Sequence, residues 1–113
     1  MEVQNMMIGL WVDDIRESPQ FTYKNINIKW IRARSVKEAQ YCIQYMESIG
    51  HPCDIVSVDH DAGDYFWDGG DYIKLLDWLE RTGRNYSIHI HSMNPVGIQN
   101  MRAIIRKNNW EEV

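Results

Sequence analysis

Hydrophobic residues along the chain alternate between short runs that are typical of strands and longer stretches with helical spacing. Apolar runs predict four strands, at residues 6–12, 28–33, 55–58 and 86–91. The segment between the first two strands contains a proline and shows no helical period, so we predict a loop over residues 15–27.

Three helices are predicted between and after these strands. A capping box at residues 35–38 (Ser-Val-Lys-Glu) starts the first helix. The second helix covers about residues 71–81. Asn94 and Pro95 open the third helix, which extends to about residue 107. The order β-β-α-β-α-β-α favours an α/β fold with a mostly parallel sheet.

Composition narrows the class of protein. The 113 residues are 44% hydrophobic and 25% charged, which is typical of one globular domain, residues 1–113. A net charge of −4 argues against general DNA binding, which needs a basic surface. We expect no membrane span, because no apolar run is long enough. The two cysteines lie outside any Cys-x-x-Cys pattern, which favours a reduced, cytoplasmic location.

Three of the four predicted strands run directly into polar residues that can carry chemistry. These are residues 13–14 (Asp-Asp), 59–61 (Asp-His-Asp) and 91–94 (His-Ser-Met-Asn). The carboxyl ends of parallel strands meet at one edge of a sheet, and open α/β sheets bind their ligands there. We therefore predict a functional site at this edge.

Acidic residues at this edge suggest a metal site. Asp13, Asp14 and Asp59 would lie close together if the first and third strands are neighbours. Carboxylates at short distance repel one another unless a cation is present, and Mg²⁺ or Mn²⁺ prefers such oxygen ligands. We predict that these three residues bind the metal, and that Asp61 ligates it or orients a neighbour. Capping of the turn after the strand is the alternative explanation of Asp13 and Asp14.

Two histidines at the strand ends are candidates for proton transfer. His60 and His91 could act as general acid and base beside Asp59, because imidazole titrates near neutral pH. The same two rings could instead bind Zn²⁺, which we favour less than Mg²⁺ or Mn²⁺. His89 is expected to be structural.

Further side chains at this edge could contact a phosphate or a base. Ser92 and Asn94 lie at the start of the third helix, whose free amides form an anion site, although helix capping also explains Asn94. Arg16 could clamp a phosphate through its guanidinium group. The aromatic residues 65–67 could stack on a base or pack as a hydrophobic lid.

These motifs resemble those of response-regulator receiver domains. They resemble more closely a divergent group of bacteria and phages, the cyclic-phosphate-processing receiver domains (cREC), through residues 10–16 with Pro19, 57–63 and 91–97. The resemblance implies a truncated receiver-like (flavodoxin-like) parallel sheet of about four strands in the order 2-1-3-4, with three helices. It also implies a role in processing cyclic phosphates. Unlike a normal receiver, the sequence has a loop at residues 15–27 in place of the first helix, and no lysine ahead of a fifth strand.

The leading functional hypothesis is a metal-dependent phosphoesterase that hydrolyses the cyclic phosphate of a nucleotide or of an RNA end. Two alternatives stay open. One is a non-catalytic binder that sequesters a cyclic-nucleotide signal, and the other is a degenerate receiver in which Asp59 accepts a phosphoryl group. A phage-encoded protein of this group would act in the host cytoplasm.

The receiver plan also leads to a prediction about assembly. Right-handed crossovers would put all three helices on one face of the sheet and leave the last strand as an open edge. Five tryptophans, including Trp11, Trp30 and Trp110, form a large apolar surface for a half-covered sheet. We predict a homodimer that covers this face or this edge. The alternative is that the loop and the tail around Trp110 fold over it within one chain.

Overall fold

Alternating strands and helices form the part of the chain that the structure, a computed structural model, describes: residues 6–18, 22–23 and 26–113. The strands are β1 (Met6–Val12), β2 (Thr22–Tyr23), β3 (Ile26–Ala33), β4 (Ile55–Val58) and β5 (Ser87–Ile90). The helices are α1 (Val36–Ser48), α2 (Ile73–Arg81) and α3 (Pro95–Lys107), and a 3-10 helix covers Gly63–Asp68. None of the helices within these ranges is both long and apolar enough to cross a bilayer.

The sheet has the order β2-β3-β1-β4-β5. Strands β3, β1, β4 and β5 are parallel, which confirms the predicted order 2-1-3-4 of the four long strands. The prediction of a loop over residues 15–27 missed the short strand β2, which pairs antiparallel with the start of β3. A strand of two residues is too short to show a period in the sequence. The rest of that predicted loop is described only at residues 15–18 and at residues 26–27, which begin β3.

Capping side chains fix where two of the helices begin. The Ser35 hydroxyl oxygen accepts a hydrogen bond from the Glu38 amide at 3.0 Å, as the capping box predicts. At α3, the Asn94 side-chain oxygen Oδ1 accepts from the backbone amide of Gly97 at 3.0 Å. Because Pro95 follows this cap, α3 starts at the predicted residue.

The core lies between the sheet and the three helices. Alternate residues of β1, β4 and β5 point to the same side of the sheet and are fully buried there: Leu10, Val12, Val56, Val58 and Ile88. Helix α2 packs between α1 and α3 over this surface. Burial of a large aliphatic side chain contributes about 1.5–3 kcal/mol, so this layer holds the strands in register.

The opposite face of the sheet is also covered at its centre. Trp11 is 3% exposed and Ile55 is fully buried, although both point away from the helices. The Trp11 ring meets Trp30 edge-on at 5.4 Å, and its indole nitrogen donates to the Arg16 carbonyl oxygen at 3.0 Å. The segment after β1 therefore lies against this face of the sheet.

The prediction of an open edge at the last strand is wrong. The Ile88 amide donates to the Glu111 carbonyl at 2.8 Å, and the Ile88 carbonyl accepts from the Val113 amide at 2.9 Å. A positive φ of 56° at Asn109 turns the chain back after α3, and Trp110 packs into the core. The tail thus covers the edge of β5 within one chain, as the alternative proposed. The homodimer stays a prediction, but the tail already covers the edge, which was one of the two surfaces that motivated it.

Replacing Trp110 with alanine should destabilise the domain by about 3–5 kcal/mol, because the substitution leaves a cavity and releases the tail. Trp67 is 78% exposed, so Trp67→Ala is the matched control and should change the free energy of unfolding by less than about 0.5 kcal/mol. Urea denaturation measures both. Equal effects of the two substitutions would contradict the packing of the tail.

Candidate active site

Three parallel strands deliver the central side chains to one edge of the sheet. Asp13 follows β1, Asp59 follows β4 and His91 follows β5. Their ligand atoms lie within 4.8 Å of one another. The structure therefore brings together three of the residues that the sequence placed at a common site.

Arg16 lies between the two carboxylates. Its Nε is 3.3 Å from Asp13 Oδ2, and one terminal nitrogen is 3.1 Å from Asp59 Oδ2. The same nitrogen donates to the His91 carbonyl oxygen at 3.1 Å. Asp13 Oδ1 accepts from the amides of Ile15 and Arg16 at 2.9 and 2.8 Å, and this tight turn brings the guanidinium group back over the strand ends.

The Asp13 carboxylate is almost completely buried, with 1% of its surface exposed. Burial raises its pKa, but hydrogen bonds from the Arg16 and Ile15 amides and from His91 outweigh burial and hold the pKa below its usual value. Asp13 is therefore a charged, hydrogen-bond-accepting group at the base of the site.

Asp14 occupies a different environment. Its pKa is raised, first by burial and then by the charges of Asp13 and Asp59. No cation forms an ion pair with it among the residues that the structure describes. Its carboxylate lies against Gly63, where φ is +54° and where a Cβ atom would collide with the carboxylate. Asp14 thus adds negative charge beside the cluster without belonging to the group within 4.8 Å.

The His91 ring is fixed on every side. It is stacked on Trp11 with the ring centroids 3.8 Å apart. Its Nε2 lies 2.9 Å from Asp13 Oδ2, and its Nδ1 lies 2.8 Å from Ser57 Oγ. Burial lowers the pKa of the ring. With 8% of its side chain exposed and both nitrogens bonded, His91 is placed to hold Asp13.

His60 and Asp61 form a separate pair beside this cluster. His60 Nδ1 lies 2.8 Å from Asp61 Oδ1 and 3.5 Å from Asn94 Nδ2. Its Nε2 has no hydrogen-bond partner within the described ranges. The His60 amide donates to Asp59 Oδ1 at 2.7 Å, which ties the pair to the central carboxylates. The structure thus joins Asp61 to His60 and Asp71, and not to the predicted metal group around Asp13.

The His60 ring lies against the first turn of α3. Ser92 Oγ accepts from the backbone amide of Asn94 at 3.0 Å, and the Asn94 side chain in turn caps α3. Capping therefore occupies the Asn94 side-chain oxygen. A Cβ atom at Gly97 would lie 2.5 Å from the His60 ring, so the absence of a side chain there allows the ring to lie against the helix.

Comparison with protein families matches residues 8–107 to the cyclic-phosphate processing receiver domain. That range includes all of the site residues described above. The chain belongs to this family. It is a receiver-like domain associated with cyclic-phosphate processing, and its fold agrees with the receiver-like topology that the motifs implied. No curated protein and no solved structure matches the chain.

Ser57 lies next to the site, although it was not among the predicted site residues of this receiver-like domain. Its hydroxyl lies 2.8 Å from Nδ1 of both His89 and His91, and the residue is fully buried. One signal was available, because Ser57 is the polar residue in an otherwise apolar strand. Side chains on a strand alternate between faces, so Ser57 shares a face with Asp59.

The carboxylates of the domain fit a hard divalent cation. Oxygen donors from Asp13, Asp14 and Asp59 are the type that Mg²⁺ and Mn²⁺ prefer. Arg16 already supplies a positive charge between Asp13 and Asp59, and 47% of its side chain is exposed. A metal at this position would therefore compete with the guanidinium group for the same carboxylate oxygens.

Replacing Gly97 with alanine should push the His60 ring away from α3, because a Cβ atom there would overlap it. We expect the imidazole resonances of His60 to shift in nuclear magnetic resonance (NMR) spectra, with a loss of stability of about 1–3 kcal/mol from overpacking. Val96→Ala, at an exposed neighbour in the same helix, is the control. Unchanged His60 resonances in Gly97→Ala would contradict this contact.

Proposed function

We propose that this domain hydrolyses the cyclic phosphate of a nucleotide or of an RNA end, with His60 as the general base. The observation that carries the proposal is the His60–Asp61 pair, which lies beside a cation, Arg16, at the same sheet edge. A base and a cation next to each other are the two groups that hydrolysis of an anionic phosphate ester needs.

The contact with Asp61 prepares His60 to accept a proton. When Nδ1–H donates to the Asp61 carboxylate, Nε2 carries the lone pair. The close approach of Gly97 holds the ring in place. A water molecule at Nε2 can therefore lose a proton to His60 as it attacks phosphorus.

The reaction needs only water as the second reactant. The water oxygen forms a bond to phosphorus, and one of the two ester P–O bonds of the cyclic phosphate breaks. The proton passes to His60 Nε2 and then to the leaving ribose oxygen. The product carries a phosphate monoester if the substrate is a cyclic mononucleotide or a 2′,3′-cyclic RNA end.

Arg16 is the group that we assign to the phosphate. Its guanidinium is half exposed and forms the described ion pairs with Asp13 and Asp59. Guanidinium groups bind phosphate oxygens through paired, charge-assisted hydrogen bonds. Ser92 lies at the same edge and is proposed as a further contact, while Asn94 acts through the cap of α3.

The roles of His91 and Asp59 are revised by their contacts. Because both ring nitrogens of His91 are bonded, we assign it to positioning Asp13 and not to proton transfer. Both oxygens of Asp59 also have donors, from the His60 amide and from Arg16. Asp59 therefore has no free carboxylate oxygen for a phosphoryl group while Arg16 is paired with it.

We also propose that Mg²⁺ or Mn²⁺ binds to Asp13, Asp14 and Asp59 when substrate draws Arg16 away. A divalent ion bound there would neutralise phosphate charge and lower the pKa of a bound water. The raised pKa of Asp14, caused by burial and by its acidic neighbours, supports the need for additional positive charge.

Exposed aromatic side chains support a nucleotide as the substrate. Phe66 is 59% exposed and Trp67 is 78% exposed, on the 3-10 helix that begins two residues after Asp61. Neither ring packs as a hydrophobic lid, which was the alternative expectation. Exposed rings beside a phosphate site can stack on a base.

The proposal is tested by incubating the protein with cyclic mononucleotides, cyclic dinucleotides and RNA ending in a 2′,3′-cyclic phosphate, each with Mg²⁺, Mn²⁺ or EDTA. Formation of a monoester or of a linear dinucleotide, followed by phosphorus NMR, supports hydrolysis. Tight binding of an unchanged ligand would instead indicate sequestration. Phosphorylation of Asp59 by a phosphoryl donor would indicate a phosphoacceptor.

Replacing His60 with alanine should lower kcat/KM by about 10²–10⁴-fold, because the general base is lost. Asp61→Asn should also lower it, by weakening the control of the His60 ring. His51→Ala removes an exposed histidine that precedes β4, whereas the site residues follow that strand, and it serves as the control. Full activity of His60→Ala on a confirmed substrate would exclude His60 as the base.

Replacing Arg16 with glutamine should strengthen metal binding, because the competing cation is removed from between Asp13 and Asp59. Ligands that bind the folded state raise Tm, so Mn²⁺ should raise Tm more in Arg16→Gln than in the unmodified protein. In Asp59→Asn the metal effect should be weaker. An equal or smaller Mn²⁺ effect in Arg16→Gln would show that the two cations do not share a site.

A further inference from the structure

A chain of hydrogen bonds crosses the sheet beneath the site. It runs from Asp13 Oδ2 to His91 Nε2 at 2.9 Å, from His91 Nδ1 to Ser57 Oγ at 2.8 Å, and from Ser57 Oγ to His89 Nδ1 at 2.8 Å. The parallel register of β4 and β5 pairs Ser57 with His89. His89 and Ser57 take no part in the chemistry proposed above.

Asp13 is a carboxylate and only accepts, so His91 Nε2 carries a proton. In a neutral imidazole with its proton on Nε2, Nδ1 is an acceptor. In this tautomer His91 Nδ1 therefore accepts from the Ser57 hydroxyl. That hydroxyl has a single hydrogen. The Ser57 oxygen consequently accepts from His89 Nδ1, which must be protonated.

The order Asp13–His91–Ser57 matches that of a nucleophilic serine triad, but Ser57 does not act as a nucleophile here. The residue is fully buried, with no exposed surface for a substrate to approach. Its hydroxyl hydrogen is also directed at His91 while its oxygen accepts from His89. The arrangement instead resembles an orienting partner behind a site residue.

We infer that Ser57 and His89 are positioning residues, which fix His91 in the tautomer that donates Nε2–H to Asp13. Stacking on Trp11 prevents the ring from rotating out of this arrangement. In this tautomer His91 Nε2 is a hydrogen-bond donor that holds the Asp13 carboxylate in place.

Nitrogen-15 NMR of the imidazole groups at neutral pH tests this inference without any substrate. We expect His91 as a neutral ring protonated at Nε2, and His89 as a neutral ring protonated at Nδ1. Observation of a His91 imidazolium, or of His91 protonated at Nδ1 alone, would overturn the inference.

Ser57→Ala removes the donor to His91 Nδ1, so the two His91 tautomers should mix and their nitrogen resonances should move toward each other. Ser48→Ala, at an exposed serine at the end of α1, is the control and should leave His91 unchanged. Resonances of His91 that are the same in Ser57→Ala and in the unmodified protein would show that Ser57 does not set the tautomer.

Two substitutions at His89 leave Ser57 in place, in case its removal prevents folding. His89→Asn keeps an N–H donor near the position of Nδ1, and His89→Leu removes it. The His91 spectrum should be preserved in the first variant and altered in the second. Identical His91 spectra in the two variants would exclude a positioning role for His89.

The effect on activity rests on the proposed function and is measured separately. Loss of an orienting partner typically costs 10–100-fold, so kcat/KM of Ser57→Ala should fall by about that factor. If no cyclic phosphate is hydrolysed by the unmodified protein, the proposed function fails, while the NMR result still decides the positioning roles. Unchanged kcat/KM in Ser57→Ala, with His91 tautomers mixed, would show that the tautomer does not matter for catalysis.

Discussion

Electrostatic repulsion among carboxylates is the constraint that organises this domain. Strands β1 and β4 are parallel neighbours that end side by side. This places Asp13 and Asp59 next to each other, with Asp14 nearby. Arg16 relieves that repulsion by forming ion pairs with both Asp13 and Asp59. The turn that carries Arg16 is itself held by Asp13 Oδ1, so one buried carboxylate sets both the local backbone and the position of the compensating charge.

The other side chains at this edge of the sheet form two layers. His91, Ser57 and Trp11 lie in or against the sheet, and they hold Asp13 from below. His60 and Asp61 lie on the loop after β4, and Nε2 of His60 has no hydrogen-bond partner among the described residues. In the proposed mechanism, the hydrogen-bonded layer around His91 holds the Asp13 charge fixed, and His60 accepts the proton.

Much of this was predictable from the sequence, because apolar periodicity and capping residues are local signals. The bounds of β1, β4 and α3 and the strand order agree with the structure, and the meeting of Asp13, Asp59 and His91 followed from parallel topology. The pairing of the tail with β5 was not predictable in this way, since one turn at Asn109 decides it. The contact of Asp61 with His60 likewise depends on side-chain rotation, which spacing along the chain does not determine.

The role of Arg16 as the charge that holds Asp13 and Asp59 together is tested most directly by a double-mutant cycle on unfolding free energies. The cycle combines Arg16→Gln with Asp59→Asn, two substitutions that remove the charge and keep a polar side chain. Coupled residues show interaction energies of about 0.5–3 kcal/mol, and we expect a favourable coupling in that range that weakens at high salt. Effects of the two substitutions that add to within about 0.3 kcal/mol would contradict the account.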